Sequence, residues 1–231
     1  MAARHGVLAF GDSITNGGGE LQWGVALQSW ALWTARGLGV PYTGCAVDGA
    51  DAAHVTGVQI PRFTATTALP DARYHVGCLY AGVNDVRGPA WDPAAYEREL
   101  RSALAFLRAR CDRLLAVTIP RDLGRPRAGA RVDVANARIE AAAADAGALV
   151  LDLRGFGARN RVMVDAVHPT AFGQIAIAER ALDVLAADGA EVRVRPHTLI
   201  AYETTRWRRL RGDAGYVYRQ LKQAGRIALR R

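Results

Sequence analysis

Five short apolar runs, at 7–10, 42–47, 76–81, 114–118 and 149–153, recur along the chain with longer segments of helical period between them. Runs this short, with no polar alternation, read as strands covered on both faces. The intervening segments predict helices at about 23–37, 51–60, 93–110, 131–146 and 170–187. Asp92 before Pro93 suits the start of the third, and Thr170 after Pro169 suits the start of the last. Strands and helices in alternation imply a parallel sheet, and right-handed crossovers then place helices on both of its faces. The expectation is an α/β chain: a three-layer α/β/α sandwich on a five-stranded parallel sheet, filling residues 1–188. The stretch 121–129, rich in Arg, Pro and Gly, reads as an exposed loop after the fourth strand.

Charge separates the remainder of the chain from this body. Residues 189–231 carry 11 Lys+Arg against 3 Asp+Glu, whereas residues 1–188 carry 19 of each. The net charge of +8 therefore belongs to a basic C-terminal extension, 189–231. Within it Trp207, Leu210, Ala214, Val217, Leu221, Ala224 and Ala228 recur at spacings of three and four, the seam of an amphipathic helix. Gly212, Gly215 and Gly225 weaken it as a freestanding helix. Three partners suit such a tail: the body or a second subunit (self-association), a membrane surface, or an acidic carrier or nucleic acid. The first leads, and the neutral body gives no reason to expect nucleic acid. No window reaches the roughly 18 unbroken apolar residues of a membrane span. Met1-Ala2-Ala3-Arg4-His5 runs straight into the first strand without an apolar leader, so a cytoplasmic location is expected. Cys45, Cys78 and Cys111 fit neither a zinc site nor a disulfide framework and read as buried small side chains.

Parallel sheets bind ligands at the carboxyl ends of their strands, and four of those ends carry chemistry. Gly11-Asp12-Ser13-Ile14-Thr15 follows the first strand, and Val47-Asp48-Gly49-Ala50 the second. Gly82-Val83-Asn84-Asp85 follows the third, and Asp165-Ala166-Val167-His168-Pro169 precedes the last helix. A hydroxyl, two candidate oxyanion donors and a carboxylate–imidazole pair would thus meet on one edge. Ester hydrolysis asks for this set, because a serine hydroxyl needs an imidazole to take its proton and the imidazole needs an orienting carboxylate. Asp165 and His168, three apart on one turn, can be held together locally. Elimination favours Ser13, since the other two serines, Ser29 and Ser102, fall inside predicted helices. No G-x-S-x-G elbow is present.

On these blocks the sequence resembles the SGNH (GDSL) hydrolase family. The first block is Gly11-Asp12-Ser13-Ile14-Thr15-Asn16-Gly17 and the second contributes Gly49. The third, G-x-N-D, is Gly82-Val83-Asn84-Asp85, and the fourth, D-x-x-H before Pro, is Asp165 to Pro169. The resemblance spans about residues 5–188 and departs in block two, where Thr43-Gly44-Cys45 stands in a region that often holds an Asn. It implies a flavodoxin-like sandwich and an esterase working through an acyl-enzyme on a small-molecule acyl ester. Ser13, His168 and Asp165 would form the catalytic triad. The Ser13 and Gly49 backbone N–H groups and the Asn84 amide would form the oxyanion hole. No metal or organic cofactor is expected. The same residues would serve an acyltransferase, and a non-catalytic binding protein would have no need of all five.

Other residues take plainer readings. Asp12 and Asp85 are expected to fix their turns, and Gly17-Gly18-Gly19, with no Gly-Lys-Ser/Thr after it, to form a flexible rim. His5, His54, His75 and His197 read as surface histidines, and Arg87 as a solvated loop residue. Trp23, Trp30 and Trp33, at spacings of seven and three, read as one buried helical face, with Trp23 near enough to Ser13 to border the acyl pocket.

Overall fold

The computed structural model describes residues 4–67, 72–158, 160–202 and 205–228. Five parallel strands form one sheet: β1 (Val7–Gly11), β2 (Tyr42–Gly44), β3 (Tyr74–Tyr80), β4 (Cys111–Val117) and β5 (Leu149–Leu151), in the order β2-β1-β3-β4-β5. β1 is buried at every position, as a doubly covered central strand requires. Register is continuous across the middle, with Val7 opposite both Tyr42 and Val76. The α/β/α sandwich anticipated from the sequence is therefore the fold.

The chain order of the helices is α1 (Ser13–Asn16), α2 (Trp30–Leu38), α3 (Ala52–His54), α4 (Ile60–Thr66), α5 (Val83–Arg87), α6 (Pro93–Arg108), α7 (Arg131–Ala146), α8 (Ala171–Ala187) and α9 (Arg206–Ala228). α2 and α8 pack together on one face of the sheet, and α6 packs with α7 and the α3–α4 segment on the other. The buried residues of α6, Tyr96, Leu100, Ala103, Leu104 and Leu107, recur at spacings of three and four and face the strands. Asp92 accepts from the N–H groups of Ala94 and Ala95, so its carboxylate caps α6 as expected, and Thr170 caps α8 through Gly173 N–H.

Two predicted helices differ in extent. The helix expected from residue 23 begins only at Trp30, because Trp23 (φ 48°) and Gly24 (φ 80°) are left-handed and Val25 N–H closes a turn on the Gln22 carbonyl. Ser29 is its N-cap and accepts from Ala31 N–H. Trp30 and Trp33 are buried on α2, while Trp23 stands outside it, stacked on Tyr202 and edge-on to Phe172. The helix expected at 51–60 runs on to Thr66 through a π-helical segment, Val55–Gln59, that turns Gln59 inward.

β1 and β3 are neighbours whose connections leave in opposite directions, the switch point at which doubly wound sheets open a crevice. Ser13 follows the first of these strands and Asn84 the second. Beyond α8 the chain stays on the body: Arg193 and Val194 donate N–H groups to the Gly37 carbonyl, and His197 Nδ1 lies 2.7 Å from Glu179.

Candidate active site

Ser13 is the first residue of α1, and the peptide enters it from the fully buried Gly11-Asp12 corner. Asp12 Oδ1 accepts from Ile14 N–H at 2.9 Å, which fixes the turn as the sequence suggested. Two buried carboxamides hold the corner from both sides. Gln59 pairs with the Gly11 backbone, accepting its N–H at 3.2 Å and donating to its carbonyl at 2.8 Å. Gln174 donates to the carbonyls of Ile14 and Gly18 at 2.9 and 3.0 Å and accepts from Trp30 N–H at 2.8 Å. These bonds satisfy the buried backbone groups of Gly11, Ile14 and Gly18 that they reach and brace Ser13's seat.

The loop between β5 and α8 brings the imidazole to this seat. His168 Nε2 lies 2.9 Å from Ser13 Oγ, and His168 Nδ1 lies 2.7 Å from Asp165 Oδ2. A carboxylate can only accept, so the proton belongs on Nδ1, and Nε2 is left to accept the serine hydroxyl's hydrogen. Asp165 Oδ1 also accepts the N–H groups of Val167 and His168, at 2.9 and 3.1 Å. The turn is closed by Ala166, a non-glycine residue at φ 55°, a strained conformation that the surrounding bonds over-determine. Met163 N–H to the His168 carbonyl (2.8 Å) and Ala166 N–H to the Met163 carbonyl (3.0 Å) complete the brace.

Gly49 sits in the turn after β2, and Asn84 in the first turn of α5 beside it. Asn84 donates one amide hydrogen to the Ala50 carbonyl at 2.9 Å, so the residue after Gly49 is tied to it and a second amide hydrogen is left over. Asp85 accepts from Ala52 N–H at 3.1 Å, and Asn16 at the end of α1 donates to Asp48 at 2.9 Å. Gly49 adopts φ 77°, and a Cβ there would meet nothing within 4 Å, so its loop borders open space. Ser13, His168 and Asp165 are thus joined directly, and Gly49 and Asn84 are joined to Ser13's helix through Ala50 and the Asn16–Asp48 bond.

The charges around the imidazole are arranged to hold its proton. The hydrogen bond that His168 donates to Asp165 raises the His168 pKa above 6.5 against the opposing effect of burial; the charges of Asp165 and Asp12 add to the rise, and Arg87 subtracts from it. Burial pushes Asp165 upward, but hydrogen bonds from His168 and the backbone of Val167 and His168 outweigh it and hold its pKa below 3.8. Asp12 behaves oppositely. Burial drives it up to about 7, only partly countered by Ile14 N–H and the His168 charge. Its Oδ2 is buried without a hydrogen-bond partner. Asp85 is likewise raised by burial, to about 6.

Sequence reasoning missed Gln59 and Gln174 as anchors of the serine turn. The available signal was a carboxamide at a core position of each helix, Gln59 between Val55 and Phe63, and Gln174 among Ala171, Ile175 and Ala178. His54 reaches Gln59 at 3.4 Å, and Arg87 is near enough to His168 to affect its charge. Among the described residues no group of three or more His, Cys, Asp or Glu side chains is placed to hold a metal ion. The three cysteines are free, and burial raises the pKa of each, Cys45 to about 11 and Cys111 to about 12.

Strand order and the sequence of blocks, serine first and Asp-x-x-His last, together define an α/β/α sandwich of the SGNH type. Residues 9–175 match the GDSL-like lipase/acylhydrolase family, and the chain belongs to that family. Among solved structures it is similar to LAE5, an alpha/beta hydrolase enzyme from the metagenome of Lake Arreo, Spain (19% identity, 80% of this chain and 97% of that one, TM-score 0.62). It is also similar to TesA (22% identity, 79% and 98%, TM-score 0.61) and to Axe2, an acetylxylan esterase from Geobacillus stearothermophilus (18% identity, 84% and 99%, TM-score 0.61). At these identities the likeness is one of fold. No curated protein sequence matches the chain.

Proposed function

We propose that the protein is a serine-dependent carboxylic ester hydrolase that works through an acyl-enzyme, with Ser13 as nucleophile, His168 as base and Asp165 as its orienting carboxylate. The observation that carries this reading is the unbroken series Ser13 Oγ–His168 Nε2–His168 Nδ1–Asp165 Oδ2, at 2.9 and 2.7 Å. Ser13 Oγ attacks the ester carbonyl carbon as its proton passes to His168 Nε2. The tetrahedral oxyanion is received by the Ser13 and Gly49 N–H groups and the spare Asn84 amide hydrogen. Collapse expels the alkoxide, which takes the proton from His168 and departs as the alcohol. A water then gives its proton to His168, its oxygen attacks the acyl carbon, and the acid leaves as Ser13 regains its hydrogen. Asp165, kept ionised, stabilises the imidazolium at both steps.

A cavity of about 240 Å³ opens beside Asn84, walled in part by Asp51, Asp85, Trp91 and Glu99. Carboxylates on this wall disfavour an anionic group, and the indole offers a face to a neutral polar one. Together with the likeness to an acetylxylan esterase, this supports a short acyl ester of a polar, uncharged alcohol as the substrate class. The test is turnover of nitrophenyl and sugar-acetate esters of graded acyl length. The reading requires ester cleavage that disappears in Ser13→Ala, and an enzyme equally active without that hydroxyl would refute it. The hydrolase unit is assigned to residues 1–188 and the basic extension to 189–231.

A further inference from the structure

Helix α9 docks on the body by one side and leaves a different side uncovered. Gly212 lies against the Trp23 indole, where a Cβ would come within 3.3 Å of Nε1. Tyr216 reaches a cavity that it shares with Met163, Ala166 and Val167, the residues around His168. Gly212, Asp213, Gly215 and Tyr216 are all partly buried. Away from this contact stand Trp207 (73% exposed), Leu210 (61%), Val217 (48%), Tyr218 (65%) and Leu221 (68%). At about 100° per residue these five, with Ala214, fall within an arc of roughly 100°. They are half of the ten large apolar side chains exposed among the described residues, and the others are scattered over the body. So continuous an apolar stripe on an exposed helix marks a contact surface.

Charge selects what covers it. Residues 206–231 hold nine Arg and Lys and a single acid, Asp213. On the helical wheel Arg206 borders one side of the stripe, and Arg211 and Lys222 border the other; all three are exposed. A second copy of this helix would bring the same cations to the same face. A nucleic acid would occupy the cations and leave the tryptophan, leucines and valine in water. An anionic lipid surface satisfies both, taking the apolar stripe below its headgroups and the cations at them. No helix among the described residues is long and apolar enough to cross a membrane.

We propose that α9 is a peripheral membrane anchor whose Trp207–Leu221 face lies on an anionic lipid surface. This goes beyond the proposed hydrolysis and does not depend on it. Because Tyr216 seats the helix beside the His168 turn, the anchored enzyme would hold its candidate active site next to the bilayer.

The full chain is sedimented with vesicles of phosphatidylcholine alone and of phosphatidylcholine mixed with phosphatidylglycerol, over a range of salt. Binding is expected to the mixed vesicles only, and to weaken as salt rises. Leu210→Ala combined with Leu221→Ala should lower the partition coefficient by at least about tenfold. Arg211→Gln and Lys222→Gln should each lower it roughly fivefold. All four positions are exposed, so circular dichroism and gel-filtration volume should match wild type. Failure to bind the mixed vesicles at low salt would overturn the proposal. So would binding that the leucine changes leave untouched, which is the behaviour of a simple polycation. Conversion of a dimer to a monomer by the leucine changes would also overturn it, since a second copy would then be the occupant.

Discussion

Replacing Asp12 by Asn removes a buried acid and keeps the oxygen that caps α1. In the fold the Asp12 carboxyl titrates at about 7 against an ordinary value of 3.8. A folded-state pKa raised in this way favours the fold at low pH, and that contribution is lost as pH rises through about 7. The full separation is worth ~4 kcal/mol at ~1.4 kcal/mol per pH unit, and the part that falls between about pH 5 and pH 8 is roughly 2.5 kcal/mol. The new amide nitrogen would sit where Oδ2 now lies without a partner, and an unpaired buried donor costs about 1–3 kcal/mol at every pH. Wild type has already lost about 1.7 kcal/mol of the full separation by pH 5, so Asp12→Asn should be close to wild type in stability near pH 5 and more stable near pH 8. At roughly 2–4 °C per kcal/mol, the difference in Tm between variant and wild type should swing by about 5–10 °C across that range. Thermal unfolding followed by circular dichroism at several pH values measures the swing. Parallel curves for the two proteins would refute the reasoning, because they would mean that Asp12 is ionised in the fold as readily as in the unfolded chain.

Three further changes probe other parts of the account. Asn84→Ala should lower kcat for a good ester by about 10²–10³ with KM little changed, since the spare amide hydrogen is assigned to the oxyanion; a rise in KM alone would place Asn84 in substrate binding instead. The rate should rise with pH as His168 loses its proton, with an apparent pKa above 6.5. Asp165→Asn should move that limb to lower pH while cutting kcat/KM by about 10³–10⁴, and an unmoved limb would assign the titration to another group. Gly173→Ala should destabilise the protein by about 1–3 kcal/mol in chemical denaturation, because a Cβ at this position in α8 would lie 1.9 Å from the Arg161 carbonyl oxygen.

Much of this architecture was legible because it rests on local patterns. The five apolar runs became β1 to β5, and the Asp92-Pro93 and Pro169-Thr170 pairs became the starts of α6 and α8. Ser13, Gly49 and Asn84 lie beyond the carboxyl ends of β1, β2 and β3, and Asp165 and His168 just ahead of α8, the edge at which a parallel sheet gathers its ligands. What stayed hidden depends on contacts between distant parts of the chain. The spacing of Trp23, Trp30 and Trp33 suggested one helix, yet Trp23 is drawn out of that periodicity by Phe172 and Tyr202, more than a hundred residues away. Gln59 stands at a core spacing between Val55 and Phe63, but its partner is the Gly11 backbone, 48 residues away. The raised pKa of Asp12 has the same origin. A Gly-Asp-Ser turn is ordinarily solvated, and only the packing of the folded chain around it, with His168 and Asp85 among its neighbours, makes this one dry.

The claim that Ser13 is the nucleophile is tested most directly by treating the folded protein with a fluorophosphonate and locating the adduct by peptide mass spectrometry. The account predicts a single adduct on the Ser13 hydroxyl, absent in Ser13→Ala and formed far more slowly in His168→Ala. Labelling of Ser13→Ala to the same extent as wild type, or an adduct on any other residue, would contradict it.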